Sequence, residues 1–176
     1  ALGWCTYNGD HMSMYAVNIG VPKTLIRHLV NWYMGKEDNK KKEILTDILE
    51  TPISPELLPP DKDGNIIQKT ENSIGSYILH DFFLYHFLRY GTTPKKLYYL
   101  ASLTFPEYNK EEIINCLKIF INRFFTQQFK RNCLPDGVKV GSISLSPRGD
   151  LRLPSDLNYQ SYLDEINKIE SSEKYE

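Results

Sequence analysis

The sequence lacks the features that would identify a membrane protein, a disulfide-stabilised protein or a zinc protein. No apolar run reaches the ~18–20 residues of a membrane span, and no Cys-x-x-Cys or His-Glu-x-x-His string is present. The three cysteines, Cys5, Cys116 and Cys133, lie far apart and are odd in number. Scattered cysteines argue against a disulfide framework and are typical of a reducing compartment. We therefore expect a cytoplasmic protein with no membrane partner and no metal site of its own.

The chain also has little net charge. Its 21 lysines and arginines nearly balance 22 aspartates and glutamates, so no global field attracts nucleic acid or acidic lipid. Five cations do cluster within 23 residues: Lys130, Arg131, Lys139, Arg148 and Arg152. They leave open a helical module that binds a phosphate-bearing polymer, whose affinity would fall steeply with salt. Interleaved aspartates and the negative net charge argue against it, and we expect no nucleic-acid partner.

Apolar residues at helical spacing run along most of the 176 residues. They predict five helices, at 21–35, 36–51, 73–91, 93–105 and 110–132. The four prolines of the stretch at 52–73 predict a loop. The helix at 73–91 is apolar on nearly all sides, which is typical of a buried helix. We expect a mostly α-helical chain.

Local signals refine this picture. Asn109 and Glu112 have the spacing of a capping box, and alternating apolar residues at 138–145 predict a short β-like segment. We expect residues 1–160 to form the domain and residues 161–176 an acidic, polar tail that is either a short helix or frayed. Phosphate-loop, nucleophile-elbow and kinase motifs are all absent, so composition and periodicity name no reaction.

Three long and unusual strings occur in the sequence. They are ALGWCTYNGDHMSMYAVNIGVPKTLIRHLV at 1–30, LHDFFLYHFLRYG at 79–91 and FFTQQFKRNCLPDGVKVGSISLSPRGDLRLPSD at 124–156. In order and approximate spacing they resemble the C-terminal part of the synthetase domain of glutamine-dependent NAD+ synthetases. The resemblance implies the helical C-terminal half of an α/β adenine-nucleotide-hydrolase-like domain, of the ATP-pyrophosphatase type.

The resemblance also implies a reaction. The family amidates nicotinic acid adenine dinucleotide (deamido-NAD+): ATP adenylates the nicotinate carboxylate, and ammonia derived from glutamine displaces AMP. Pyrophosphate is the other product, and Mg2+ serves the phosphates. The expected partners are therefore deamido-NAD+, ATP, an N-terminal glutaminase domain and a second copy of the enzyme, because the family's active site lies partly across a dimer interface.

The sequence departs from the family pattern in one respect. The Ser-Gly-Gly-x-Asp-Ser loop that binds the pyrophosphate of ATP is absent, as is the glutaminase domain with its catalytic residues. We therefore expect this chain to be a piece of a longer enzyme. Alone it should be inactive, with no catalytic residue, no metal ligand and no firmly bound ATP or Mg2+.

The resemblance assigns seven contacts to deamido-NAD+: Trp4, Cys5, Thr6, Tyr7, Asp10, Phe129 and Lys130. The rings of Trp4 and Tyr7 suit stacking on an aromatic base, and Thr6 offers a hydroxyl. Without the resemblance, the same segment is typical of an ordinary loop with one buried tryptophan. Asp10 is either a ribose contact or a turn cap.

Two lysines have competing interpretations. Lys23 matches a lysine that binds ATP phosphates; it lies in a first helical turn, where a cation opposes the helix dipole unless an anion is near. The alternative is a solvated lysine. Lys130 matches a dinucleotide contact, but at the end of a long helix a cation is also favoured by the dipole alone. A further ATP-contacting hydroxyl of the family falls at Ile53, next to Ser54, which puts that contact in doubt.

The remaining candidates are predicted to be structural. Arg131 is expected to form an ion pair, and Cys116 and the four histidines to serve the core or the fold. In LSPRGDLRLPSD, residues 145–156, Arg148 and Asp150 are expected to anchor the loop through ion pairs. The loop either folds over the synthetase site or packs the domain against its neighbour.

Overall fold

The computed structural model describes residues 1–7, 9, 12–51 and 70–172, with the backbone alone at 70 and 72. These ranges contain helices and connecting loops, without a regular strand, so the prediction of a mostly α-helical chain is confirmed. The helices are α1 (Lys23–Met34), α2 (Asn39–Glu50), α3 (Thr70–Ile74), α4 (Tyr77–Tyr90), α5 (Pro94–Thr104), α6 (Lys110–Thr126), α7 (Gln128–Asn132) and α8 (Gln160–Ser171). The predicted loop at 52–73 lies mostly outside the described residues.

Helix ends follow the local signals of the sequence. The Asn109 side chain accepts a hydrogen bond from the Glu112 amide, and the Glu112 carboxylate accepts one from the Asn109 amide. This confirms the capping box. Gly91 ends α4 in the left-handed conformation, with φ at 61°, which a glycine adopts at little cost.

The core forms around α6, against which α4, α5 and α8 pack. Eight side chains of α6 are buried: Ile113, Ile114, Cys116, Leu117, Phe120, Ile121, Phe124 and Phe125. Each fully buried phenylalanine or leucine stabilises the fold by about 1.5–3 kcal/mol. Phe87 of α4 has edge-on contacts with the rings of Phe120 and Phe124, which fixes the two helices side by side.

The structure tests two predictions about segments outside the central helices, at 138–145 and in the C-terminal tail. The β-like alternation at 138–145 forms no strand, because these residues have no regular secondary structure. The Ala16 amide donates to the nearby Asp136 carbonyl, but a single bond does not make a ladder. Of the predicted tail at 161–176, residues 161–171 belong to helix α8, which buries Ile166 and Ile169 against the core; residues 173–176 lie outside the described residues.

The hairpin of α1 and α2 lies on the outside of this core. Neither helix has a buried residue, and α1 is fastened to α4 through Asp81, whose carboxylate accepts hydrogen bonds from Thr24. Helix α4 is less buried than predicted, since Tyr85 and Tyr90 are exposed. Among the described helices, none combines the length and apolar character required to cross a bilayer.

Candidate functional site

The N-terminal segment, residues 1–7, lies across α6 and α7. It forms no helix or strand, so its carbonyl groups need other partners. Cationic side chains provide them: Arg123 Nε donates to Leu2 O at 3.0 Å, and Lys130 Nζ donates to Gly3 O at 2.8 Å and Cys5 O at 2.6 Å. The backbone of this segment is therefore fixed by the long helix and its short continuation.

Gly3 is required by this close approach. Its φ is +61°, and a Cβ placed there would lie 2.5 Å from Cβ of Gln127. Any side chain at this position would both strain the backbone and push the segment away from α6 and α7. The glycine is thus the point at which the segment meets the two helices.

Three aromatic rings remain accessible beside this contact. Trp4 is 40% exposed, Tyr7 49% and Phe129 43%. The Tyr7 and Phe129 rings lie 5.5 Å apart at 42°, and the Arg123 guanidinium lies 4.7 Å from the Trp4 ring centroid. Exposed aromatic faces next to a cation suit a planar, anionic ligand. Trp4 is not the buried tryptophan of an ordinary loop.

Lys130 occupies a different position from the one predicted. Helix α6 ends at Thr126, and Lys130 lies in the last turn of the separate helix α7. Its ammonium group is directed to the carbonyls of Gly3 and Cys5. An ammonium group has three donors, of which these two carbonyls use two. The third is available to an acceptor on a ligand, so the described contacts are compatible with the dinucleotide role.

The prediction of an ion pair at Arg131 is wrong. The guanidinium is buried and donates to the carbonyls of Ala1 and Phe124 and to Oε1 of Gln128. Its carbon atom lies 4.5 Å from the centroid of the Phe124 ring. No carboxylate pairs with it in the described part of the chain. Burial lowers the pKa of Arg131 to about 10, so it stays charged at neutral pH.

Lys23 lies at the start of α1 and is exposed. Its Nζ is 6.0 Å from the centroid of the Tyr77 ring. The anion at this helix terminus is already present, because Asp81 Oδ2 accepts hydrogen bonds from Thr24 N at 2.9 Å and Thr24 Oγ1 at 2.8 Å. The dipole argument for an anionic ligand at Lys23 is therefore weaker than the sequence indicated, and its ATP role stays a prediction.

Some predicted positions lie outside the described residues. These are Asp10, the neighbouring His11, and the pair Ile53 and Ser54. Cys5 and Thr6, by contrast, lie within the N-terminal segment, between the rings of Trp4 and Tyr7 in the chain. The structure thus brings six of the seven predicted dinucleotide contacts to one surface of α7 and the N-terminal segment.

Cys116 and His80 form a buried contact within the core. The thiol sulfur lies 3.5 Å from His80 Nε2, which is 2.5 Å from the Ile74 carbonyl oxygen. Burial raises the pKa of Cys116 to about 12 and lowers the pKa of His80. A thiol that stays protonated is a poor nucleophile, so the interpretation of Cys116 as a core residue is confirmed.

The loop at 145–156 is anchored as predicted. Arg148 Nε lies 2.9 Å from Asp136 Oδ1, and Lys139 Nζ lies 2.5 Å from Asp150 Oδ2. Arg152 Nε donates to the Pro147 carbonyl. With Lys130 and Arg131 bound to the N-terminal segment, all five clustered cations have partners inside the chain. This arrangement argues against a surface for a phosphate-bearing polymer.

A cavity of about 260 Å³ lies elsewhere, between the end of α4 and the loop at 139–150. Its polar lining includes Arg89, Lys139, Ser142 and Asp150, but Lys139 is already paired with Asp150. None of its lining residues belongs to the N-terminal segment or α7. Among the described residues, no group of three or more potential metal ligands is found.

No family model matches the chain. It is 42% identical over 190 residues to the glutamine-dependent NAD(+) synthetase of Mycobacterium bovis, covering 96% of this chain and 28% of that protein. The Mycobacterium leprae enzyme of the same name is 41% identical over 189 residues, with 95% and 28% coverage. The chain therefore spans only about 28% of the length of these curated relatives.

A solved structure shares the fold. The glutamine-dependent NAD(+) synthetase from Cytophaga hutchinsonii matches with a TM-score of 0.64 and 21% sequence identity. The match covers 96% of this chain and 24% of that one. The helical architecture is thus that of a portion of a larger protein. Together with the sequence matches, this confirms the resemblance to NAD+ synthetases.

Proposed function

Because the chain is homologous to a part of the glutamine-dependent NAD(+) synthetases, we propose that it supplies the deamido-NAD+ side of the synthetase site in a longer enzyme. That enzyme amidates nicotinic acid adenine dinucleotide with ATP and glutamine-derived ammonia, through an adenylated nicotinate, and releases AMP and pyrophosphate. The 176-residue chain alone, without the pyrophosphate-binding loop, makes no NAD+.

The observation that supports this proposal best is the grouping of rings around Lys130. Trp4 and Tyr7 of the N-terminal segment and Phe129 of α7 expose aromatic surface. The Lys130 ammonium joins that segment to α7. Planar rings can hold a base or a pyridine ring by stacking, and the third donor of Lys130 can bind a phosphate or carboxylate oxygen. A dinucleotide has both kinds of group.

These residues bind and orient rather than react. Rings and a directed ammonium hold the dinucleotide in one pose, so that its nicotinate carboxylate meets ATP bound by the rest of the enzyme. Positioning of this kind lowers the barrier of a two-substrate step by removing the search for the reactive geometry. We assign no Mg2+ ligand to the described residues, and place Mg2+ with the phosphate loop of the longer protein. Lys23 is retained as a proposed contact to ATP.

Replacement of Lys130 tests the proposal. In the complete enzyme, Lys130→Ala should raise the apparent KM for deamido-NAD+ by about tenfold or more, because a charge-assisted hydrogen bond is lost. Release of glutamate from glutamine should change much less. Both rates are measured at varied deamido-NAD+, with NAD+ and glutamate as products.

The control is Lys118→Ala. Lys118 lies on α6 and pairs with Glu170 of α8 at 2.7 Å, away from the N-terminal segment. Lys118→Ala removes the same charge without affecting the rings of Trp4, Tyr7 and Phe129, so the KM for deamido-NAD+ should match that of the unmodified enzyme. An unchanged KM in Lys130→Ala would reject the assigned contact.

A further inference from the structure

Two arginines outside the predicted ligand contacts determine where the ring-bearing segment lies. We propose that Arg123 and Arg131 are positioning residues for the dinucleotide site: they fix the backbone of residues 1–5, and with it Trp4, before the ligand arrives. The identity of the ligand rests on the proposed function. The contacts that fix the segment do not, since they exist within the chain itself.

Arg123 holds the segment at two points. Its Nε donates to Leu2 O at 3.0 Å, and its guanidinium lies 4.7 Å from the centroid of the Trp4 ring. Only a planar, delocalised cation can combine a directed hydrogen bond with stacking on an indole. The hydrogen bond fixes the position of the Leu2 backbone against α6, and the ring contact selects one orientation of the Trp4 side chain.

Arg131 joins the segment to the junction between α6 and α7. Its guanidinium donates to the last turn of α6 at Phe124 O, to the first residue of α7 at Gln128 Oε1, and to Ala1 O. A buried cation without a carboxylate partner is costly. The oxygens of Ala1, Phe124 and Gln128 offset the cost of burying the guanidinium. They do so only while the N-terminal segment, α6 and α7 remain together. Arg131 therefore couples the position of the segment to the angle at which α7 leaves α6.

The two arginines leave Lys130 available to the ligand. Because Arg123 and Arg131 hold Leu2 and Ala1, the carbonyls of Gly3 and Cys5 are presented to Lys130 in a fixed geometry. Those carbonyls fix the position of its ammonium group, which keeps a third donor for the ligand. A site that is ordered in advance avoids the entropy cost of ordering it during binding.

The first test examines the 176-residue chain without ligand. In a Trp32→Phe background Trp4 is the sole tryptophan, because the sequence has two. Arg123→Gln should increase acrylamide quenching of Trp4, and the amides of residues 2–7 should exchange hydrogen about 5- to 30-fold faster, the change expected for one or two lost contacts. Lys118→Gln, the matched control on α6, should alter neither property. Unchanged exchange in Arg123→Gln would overturn the inference.

A second pair of variants tests the position of the segment without removing a buried cation. Gly3 and Gly91 both have φ of +61°, but a Cβ meets Gln127 at Gly3 and nothing within 4 Å at Gly91. Gly3→Ala should therefore displace the segment and accelerate its exchange, whereas Gly91→Ala carries only the cost of the left-handed backbone. Equal effects on the exchange of residues 2–7 would contradict the inference.

The second test measures dissociation constants for deamido-NAD+ in the complete enzyme. Arg123→Gln and Gly3→Ala should weaken binding by about 5- to 30-fold, and Arg123→Lys should restore binding only in part, because lysine keeps a donor but cannot stack. The affinity for ATP should stay unchanged, which a loosened fold would not allow. Faster exchange with unaltered dinucleotide affinity would make the arginines structural anchors only and overturn the positioning role. If the unmodified enzyme binds no deamido-NAD+, the proposed function fails, a result distinct from both.

Discussion

His80 shows how much a single buried residue depends on its surroundings. Its ring lies in the core, 2.5 Å from the Ile74 carbonyl oxygen and 3.5 Å from the Cys116 sulfur. Burial is the largest influence on its pKa and lowers it below the ordinary value of 6.5. The neutral ring is therefore the form that the folded chain accommodates.

This shift predicts a loss of stability in acid. Below pH 6.5 the unfolded chain binds a proton at His80 while the folded chain still does not. Since the unfolded state binds more protons, the free energy of unfolding falls as pH decreases from 6.5 toward the lowered pKa, with a limiting slope of about 1.4 kcal/mol per pH unit. Urea unfolding between pH 7.5 and pH 5 measures it. His80→Gln should flatten the dependence, whereas exposed His28→Gln should not. His86 also has a pKa lowered by burial, so a weaker dependence should remain in His80→Gln; a dependence as steep as that of the unmodified chain would contradict the role of His80.

The sequence predicted the site residues only through resemblance, and it missed two. Trp4, Tyr7, Phe129 and Lys130 could be named because whole strings matched a family. Arg123 gave no local signal, because a single arginine on an amphipathic helix is usually solvated. The roles of Arg123 and Arg131 depend on carbonyls more than 120 residues away in the chain, which no local pattern encodes.

At the scale of elements, α6 organises the fold. It buries one face against three helices, and its first turn is closed by the reciprocal hydrogen bonds of Asn109 and Glu112. Helices α4, α5 and α8 all pack against it, and α5 also contacts α4 and α8 directly. The stability of the chain should therefore depend on the start of α6 as well as on its buried face.

Removal of the capping box tests this dependence. Asn109→Ala should lower the free energy of unfolding by about 1 kcal/mol, because the Glu112 amide loses its acceptor. Chemical unfolding monitored by circular dichroism gives the value. Asn115→Ala, an exposed position in the same helix, is the control and should be neutral or slightly stabilising, since alanine favours helices. Equal losses in both variants would contradict the role of the cap.

Helix positions were predictable where periodicity and end signals agreed, as in α1, α2, α4 and α5. The predicted helix at 110–132 is divided in the structure, because Gln127 leaves helical geometry between α6 and α7. The apolar alternation at 138–145 failed as a strand signal for a related reason. Both features are decided by distant partners: Arg131 spans the junction, and residues 138–145 have no strand beside them in the described residues.

At the scale of the molecule, the hairpin of α1 and α2 exposes many apolar side chains. Helices α1 and α2 expose large side chains on the outside of the core: Leu25, Leu29, Trp32, Tyr33, Ile44 and Ile48. Exposed apolar groups of this extent are typical of surfaces that are covered by another protein surface. The remainder of a longer synthetase is the cover that the proposed function provides.

Without that cover, the chain should associate with itself. Sedimentation velocity should show a weight-average mass that rises with concentration. Leu29→Lys should reduce the rise, because it places a charge within the exposed face. Leu103→Lys is the control, since Leu103 is also exposed but lies on α5. A monomer at high concentration would contradict the expectation.

In the proposed function, the N-terminal segment and α7 together hold deamido-NAD+. Hydrogen exchange of the complete enzyme, measured with and without deamido-NAD+, examines this contact. We expect slower exchange in peptides covering residues 1–7 and 128–132, and unchanged exchange in α5 and α8. Protection confined to other parts of the enzyme, with none in these two peptides, would contradict it.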